Sequence, residues 1–300
     1  MTDGSLDPLR ICLRNFLQFI SNVSSEARNM QLADIAAGKV TQHITVIMDD
    51  APIEGPSAQG IEIYFPKTFL YLLWAVCYYA FVVTEDIMQQ ELLGSYRGFV
   101  RTTPFTQKAY GIINYALNLR NQYIPWPSLM LNPLLQEQYS RDVDVIFGYA
   151  MAYIYFHEYA HIKNGHSRNV ADDISIEQER EADQFALETI VGPLDDDAKQ
   201  RDYGIGIGCA GLAMLYAVHS PRHLSQRRHP DVDVRLSNSL EYLCIHGNEP
   251  KYYLYKLMCV GLTGFCDSYK IPIPKGEYET VEEQYEYLVD LIANAKLSQA

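Results

Sequence analysis

Residues 156–166 read FHEYAHIKNGH, an HExxH core in which His157 and His161 lie four positions apart and Glu158 follows the first. On a helix, side chains four apart project about 40° from one another, so both imidazoles reach one metal ion while the glutamate stands beside it, facing a water. The pattern offers two of the three protein ligands of a catalytic zinc, with Glu158 as general base. It also arises by chance in roughly one or two chains per hundred, so a third ligand has to separate a metal centre from a merely polar helix surface.

The segment SIEQEREADQFALETI, 175–190, supplies one. At 100° per residue Glu179, Ala182, Asp183, Ala186 and Ile190 share one stripe, whereas Glu177, Glu181 and Glu188 lie opposite. A carboxylate on such a small, apolar face needs a cation to offset its desolvation. Glu179 is therefore the predicted third ligand, and Glu181 is the alternative under a different helical register. Asp183, one turn later, is placed to accept a hydrogen bond from the far nitrogen of a liganding histidine and fix its tautomer.

His166 competes for the third position but misses the HExxHxxGxxH register, since Gly165 and His166 each stand one place from where that pattern requires Gly and His. A structural or supporting role is assigned to it, and Gly165 is expected to end the helix with a positive φ. Residues 227–235, RRHPDVDVR, bring His229 and Arg235 after a loop. A histidine or arginine opposite a metal can stabilise the oxyanion of a tetrahedral intermediate, although a lone loop histidine is more often a surface residue. The GIGIG of 204–208 lacks the spacing of either phosphate-binding glycine motif and reads as close helix packing.

The elements that must position these groups are mostly helical. An amphipathic helix or two is expected from Leu6 to about Leu32. Residues 41–48 and 61–65 then carry the β-branched and aromatic content of a strand pair around the turn-rich APIEGPSAQG. Helices are predicted at 67–86, 105–121, 143–164, 176–191, 205–219, 231–245, 250–267 and 281–297. Ser175 with Gln178 and Thr280 with Glu283 have capping-box spacing, and Gly192–Pro193 reads as a stop. The expected fold class is α+β, predominantly helical. It is read as one domain over 1–300, with an N-terminal helix and strand pair in 1–66 and the metal site in the mainly helical 67–300. An extended substrate would find backbone partners along the edge of 41–48 or 61–65.

Composition narrows the function. A net charge of −13 with no dense basic run has the wrong sign for direct nucleic-acid binding. The apolar runs 69–83 and 145–156 are shorter than a bilayer span and read as buried helices, so no membrane association is expected. Six cysteines without a CxxC pair, after an amino terminus lacking secretory-signal features, point to reduced thiols and a cytoplasmic location.

Taken in order, the HExxH of 157–161, the EREAD of 179–183 and the HPDVDVR of 229–235 resemble gluzincin peptidases, most closely the Lit-type phage-exclusion peptidases. The aromatic run LYLLWAVCYYAFVVTED near 70–86 is similar as well. The resemblance implies a zincin-like fold, Glu179 rather than Glu181 as ligand, and His229 and Arg235 as active-site residues. Lit-type enzymes are bacterial proteins that, triggered by a phage-derived peptide, cut translation elongation factor Tu and halt protein synthesis. The reading from sequence is thus a zinc endopeptidase acting on a cytoplasmic protein, with elongation factor Tu as the implied substrate and an activating peptide as the implied trigger. Its rival is a zinc-binding sensor of the same fold that does not cleave, against which the intact Glu158 argues.

Overall fold

The computed structural model describes residues 9, 13, 16, 19–20, 23–41, 44–47, 51–96, 103–126, 139–191, 197–224, 229–243, 248–274 and 278–298. Residues 9, 13, 16, 19–20 and 23 are helical. Ser24 then caps a second helix, α1 (Ser25–Ala36), its hydroxyl accepting from the Ala27 amide at 3.1 Å.

The sheet differs from the expected pair. Its strands are β1 (Thr45–Ile47), β2 (Ser57–Gln59) and β3 (Glu62–Pro66), in the order β1-β3-β2. β1 runs parallel to β3 with Thr45 opposite Tyr64, and β2 returns antiparallel with Ala58 opposite Ile63. The 61–65 segment is therefore central, with partners on both sides, and is not available as a substrate edge. The extra strand lies inside the stretch read as loop: Gly60, at φ 62, makes the tight turn that brings Ser57–Gln59 back against β3.

Helices follow as α2 (Lys67–Leu92), α3 (Pro104–Asn118), α4 (Ser140–Lys163), α5 (Asp172–Val191), α6 (Asp197–Ala217), a 3-10 turn (Pro221–Leu224), α7 (Val232–Tyr242), α8 (Asn248–Ser268) and α9 (Val281–Ser298). The described residues are thus predominantly helical with a small sheet, an α+β arrangement. α2 runs past the expected 86, and by length and composition it could cross a bilayer, yet 89 % of its most apolar window is buried inside the fold. Its Trp74 indole donates to Asp144 of α4 at 3.1 Å, joining the two central helices.

The capping box predicted at Ser175 does not form. The Ser175 amide instead donates to the Ala171 carbonyl at 2.9 Å, inside a helix that begins at Asp172. Asp172 and Asp173 occupy its first turn, where acidic side chains meet the positive end of the helix dipole. At Thr280 the hydroxyl half of the box is present, accepting from the Glu283 amide at 3.1 Å, but the Glu283 carboxylate reaches the Glu279 amide rather than that of Thr280. The Gly192–Pro193 stop lies outside the described residues.

Two contacts fix α4 from behind. Gln31 of α1 donates to the buried Tyr155 hydroxyl at 2.7 Å, and Tyr159 donates to Asp34. On another side α6 packs through its glycines: a β-carbon on Gly206 would stand 2.5 Å from Tyr149 Cβ. The GIGIG segment is a helix-packing surface, as its spacing suggested. The described cysteines, Cys77, Cys209, Cys259 and Cys266, are buried and form no disulfide with one another.

Candidate metal centre

α4 is apolar on nearly every face from Val143 to Phe156 and so runs through the core, which carries His157 and Glu158 at its C-terminal end to 7 % and 8 % exposure. α5 is amphipathic, and of the predicted stripe it buries Glu179, Ala182, Ala186 and Ile190 and half-buries Asp183, with Leu187 and Val191 buried as well. Small side chains at 182 and 186 let α5 approach α4 closely enough for Glu179 to meet both histidines.

His157 Nε2 and His161 Nε2 are 3.2 Å apart, and Glu179 bridges them with Oε2 3.3 Å from the first and Oε1 3.4 Å from the second. Donor atoms held tetrahedrally at about 2.0–2.1 Å from a zinc lie about 3.3 Å from one another, so the spacing of the two ring nitrogens fits that ion, as does the His₂Glu donor set with one Glu179 oxygen facing each ring. Among the described residues this is the group of histidine, cysteine and acidic side chains that is close enough to hold a metal.

Around these three groups stand others that orient them. Asp183 Oδ1 lies 2.9 Å from His157 Nδ1, the position expected for it. It also accepts from the Tyr153 hydroxyl at 3.2 Å and takes Arg235 in a two-pronged pair at 2.5 and 2.8 Å. Arg235 Nη1 is 3.7 Å from Glu179 Oε2 as well, so this guanidinium, which also lines the cavity, is paired with two carboxylates. His229 is the more exposed member at 47 %, with Nδ1 3.1 Å from Glu179 Oε1. Glu181 sits on the outer face of α5, 3.0 Å from His166 Nε2, away from the ligand triangle.

The charges act strongly on one another. Burial pulls the His157 imidazole toward neutrality, but the hydrogen bond and charge of Asp183, with the hydrogen bond to Glu179, outweigh it and push its pKa up to about 10. His161 moves the other way, down to about 4, through burial and the charge of His157. Burial raises Glu158 above the ordinary carboxylate value. Burial also opposes the ionisation of Glu179 and Asp183, yet His157, Arg235 and, for Glu179, His229 hold both well below the usual range.

A cavity of about 430 Å³ opens onto this cluster. Its lining includes the apolar Ile154, Ile207, Ala210, Met214, Val232 and Leu236, together with Ser57 and Ala58 of β2 and the preceding Pro56, which form its rim. Arg168 donates to the Ala58 carbonyl at 2.9 Å on that rim.

The family model for Peptidase U49 matches residues 63–257. The chain belongs to the Peptidase U49 family. Membership makes it a peptidase, and so an enzyme with a protein or peptide substrate. The U49 match begins in β3 and ends within α8, and it includes every residue of the cluster just described. Searches of curated proteins and of solved structures found no match.

Sequence reasoning missed two features of this U49 site. The clamp of Arg235 on Asp183 joins residues 52 apart and leaves no periodic trace. The β2 rim was hidden because Ser57–Gln59 has none of the β-branched residues that mark strands.

Proposed function

We propose that this U49 peptidase is a zinc-dependent endopeptidase of zincin-like architecture, with His157, His161 and Glu179 as ligands. The observation that carries the reading is the convergence of three ligand groups from two helices, with one donor atom from each within 4.8 Å of the others and the Glu158 carboxyl buried beside them. A bound zinc supplies Lewis acidity and an acidified water with a pKa near 7. Glu158 removes the proton from the attacking water and delivers it to the departing amine as the carbon–nitrogen bond breaks; its raised pKa suits both halves of that task. Asp183 holds the His157 ring, Arg235 holds Asp183 and Glu179, and His229, on the open side, faces the substrate's developing oxyanion. The substrate chain lies along the β2 edge at the rim, with an apolar side chain next to the scissile bond filling the wall of Ile207, Met214 and Leu236.

The Lit-type resemblance, together with U49 membership, supports a role in phage exclusion, with elongation factor Tu as the cytoplasmic target and a phage-derived peptide as trigger. The test is mapping of new protein N-termini in cells expressing wild type beside Glu158→Gln. New termini in elongation factor Tu that require Glu158 are expected; termini elsewhere reassign the target, and full activity of Glu158→Gln removes the general-base role. Metal analysis complements it: Glu179→Ala should lose zinc and Glu181→Ala should keep it, and the reverse would move the ligand.

A further inference from the structure

The end of α4 builds a connection that ligand spacing alone does not predict. Asn164 caps the helix and Gly165 takes φ 66. The Gly165 amide then donates to the Ile162 carbonyl at 3.2 Å, and the His166 amide to the His161 carbonyl at 2.9 Å. These are the paired bonds of a Schellman motif, which folds the residue after the glycine back over the last helical turn. His166 is thereby laid beside His161, with their Nδ1 atoms 2.9 Å apart and the ring planes at 72°. The other nitrogen of His166 is 3.0 Å from Glu181 Oε2 on α5, and its side chain is only 6 % exposed.

The donors and acceptors along this line fit in one direction only. His161 turns Nε2 toward His157 and Glu179, so a metal takes the lone pair of that atom and the ring proton must sit on Nδ1. His161 Nδ1–H then donates, and His166 has to accept at Nδ1. Its own proton is consequently on Nε2, aimed at the Glu181 carboxylate, which accepts. We propose that His166, held by Glu181, is a positioning residue that fixes the tautomer and ring angle of His161 for the metal. His157 has a carboxylate for this purpose in Asp183; His161 has a neutral imidazole backed by a carboxylate one step further out. Glu181, the alternative ligand on sequence grounds, thus serves the centre from outside. The proposal rests on the reading of His157, His161 and Glu179 as a zinc site.

The test measures zinc affinity by competition with a chromogenic chelator, together with the visible spectrum of the cobalt(II)-loaded chain, for wild type, His166→Ala, His166→Asn and Glu181→Ala. Urea denaturation of each metal-free variant reports folding separately. Losing an outer partner of a liganding histidine typically weakens binding 10–100-fold. That loss is expected for His166→Ala, with an altered cobalt spectrum and an unchanged urea midpoint. His166→Asn, whose carbonyl oxygen stands near where Nδ1 stood, should recover most of the affinity, and Glu181→Ala should fall between the two. Wild-type affinity in His166→Ala overturns the proposal while leaving the zinc site standing. Equal losses in His166→Ala and His166→Asn that follow a lowered urea midpoint overturn it too, because they mark a merely structural turn. A wild-type chain that binds no zinc overturns the metal centre itself and this proposal with it.

Discussion

Replacing Gly206 by alanine tests whether the helix bearing the histidines is held rigidly by its neighbour. Where α6 packs on α4, a β-carbon on Gly206 would stand 2.5 Å from Tyr149 Cβ and 3.0 Å from the Ala150 backbone nitrogen. Unstrained carbon contacts lie at about 3.5–4.0 Å, so the helices must part by about 1 Å there. Two effects compete. Alanine gains about 1 kcal/mol over glycine in a helix interior. Overpacking costs about 1–3 kcal/mol, and since both obstacles belong to the α4 main chain or its first side-chain carbon, neither can swing aside and the upper part of that range applies. The expected net is a loss of about 1–2 kcal/mol of stability. Gly208→Ala is the matched control, because its added carbon meets Met258 Cε at 2.5 Å and Sδ at 3.0 Å, the end of a flexible side chain that can rotate away. That variant should be neutral or slightly stabilised. His157 follows Tyr149 by eight residues, about 12 Å along the same rod, so a displaced α4 also spreads the ligand triangle and Gly206→Ala should lower metal affinity. Urea denaturation of both metal-free variants, with chelator competition for zinc, makes the comparison. A Gly206→Ala chain as stable as Gly208→Ala would refute the claim that rigid helix contact positions the site.

Lys296 of α9 donates to Asp231 at 2.7 Å and to both oxygens of the buried Asp233 at 3.1 Å, tying the C-terminal helix to the segment between His229 and Arg235. Lys296→Met leaves Asp233 without its cation and should cost about 3–5 kcal/mol by urea denaturation, with partial recovery when Asp233→Asn is added. Glu158→Gln should stabilise the metal-free chain at neutral pH. A carboxyl whose folded pKa is raised is favoured while protonated and loses stability as pH climbs through that value, so the advantage of glutamine should vanish below the ordinary 4.5. Melting at pH 7 and pH 4 decides it, and an equal gain at both would indicate shape rather than charge. Asp183→Asn keeps an acceptor for His157 but leaves Arg235 without its close anion, and should weaken zinc binding about 10–100-fold by chelator competition.

What could be read from the chain followed the range of the determinants. Glu179 was identifiable because a helix repeats every 3.6 residues: with Ala182, Ala186 and Ile190 it forms one face, and that face is the one α5 buries. Gly165 was identifiable because a glycine after a helix has one common use, although the consequence, a His166 folded back onto His161, depends on hydrogen bonds that spacing does not encode. The start of α5 was misplaced by four residues. Ser175 and Gln178 have capping spacing, and Asp172 and Asp173 compete for the same helix end; the first turn closing on Ala171 adds backbone bonds that a cap at Ser175 would forgo. β2 was illegible because three residues without strand character pair only when β3 is already present as a template.

The charge balance of the site explains why its parts are arranged so. Glu158, Glu179 and Asp183 bring three carboxylates into one largely buried cluster, and Arg235 answers with one guanidinium. Ionised together they leave an excess of two negative charges, which a buried site does not sustain unpaired. Left to itself the protein draws a proton onto His157, whose pKa of about 10 is set by its carboxylate neighbours, while His161, pushed down to about 4, stays neutral. The two histidines thus divide by environment: one is held by the anions that also hold Arg235, the other rests against the His166 ring. A divalent ion in the ligand triangle would replace the His157 proton and bring the count to zero. On this argument Arg235 lowers the excess from three negative charges to the two that a divalent ion offsets, so replacing it by a neutral residue alters what the cluster can bind as well as how firmly it is built.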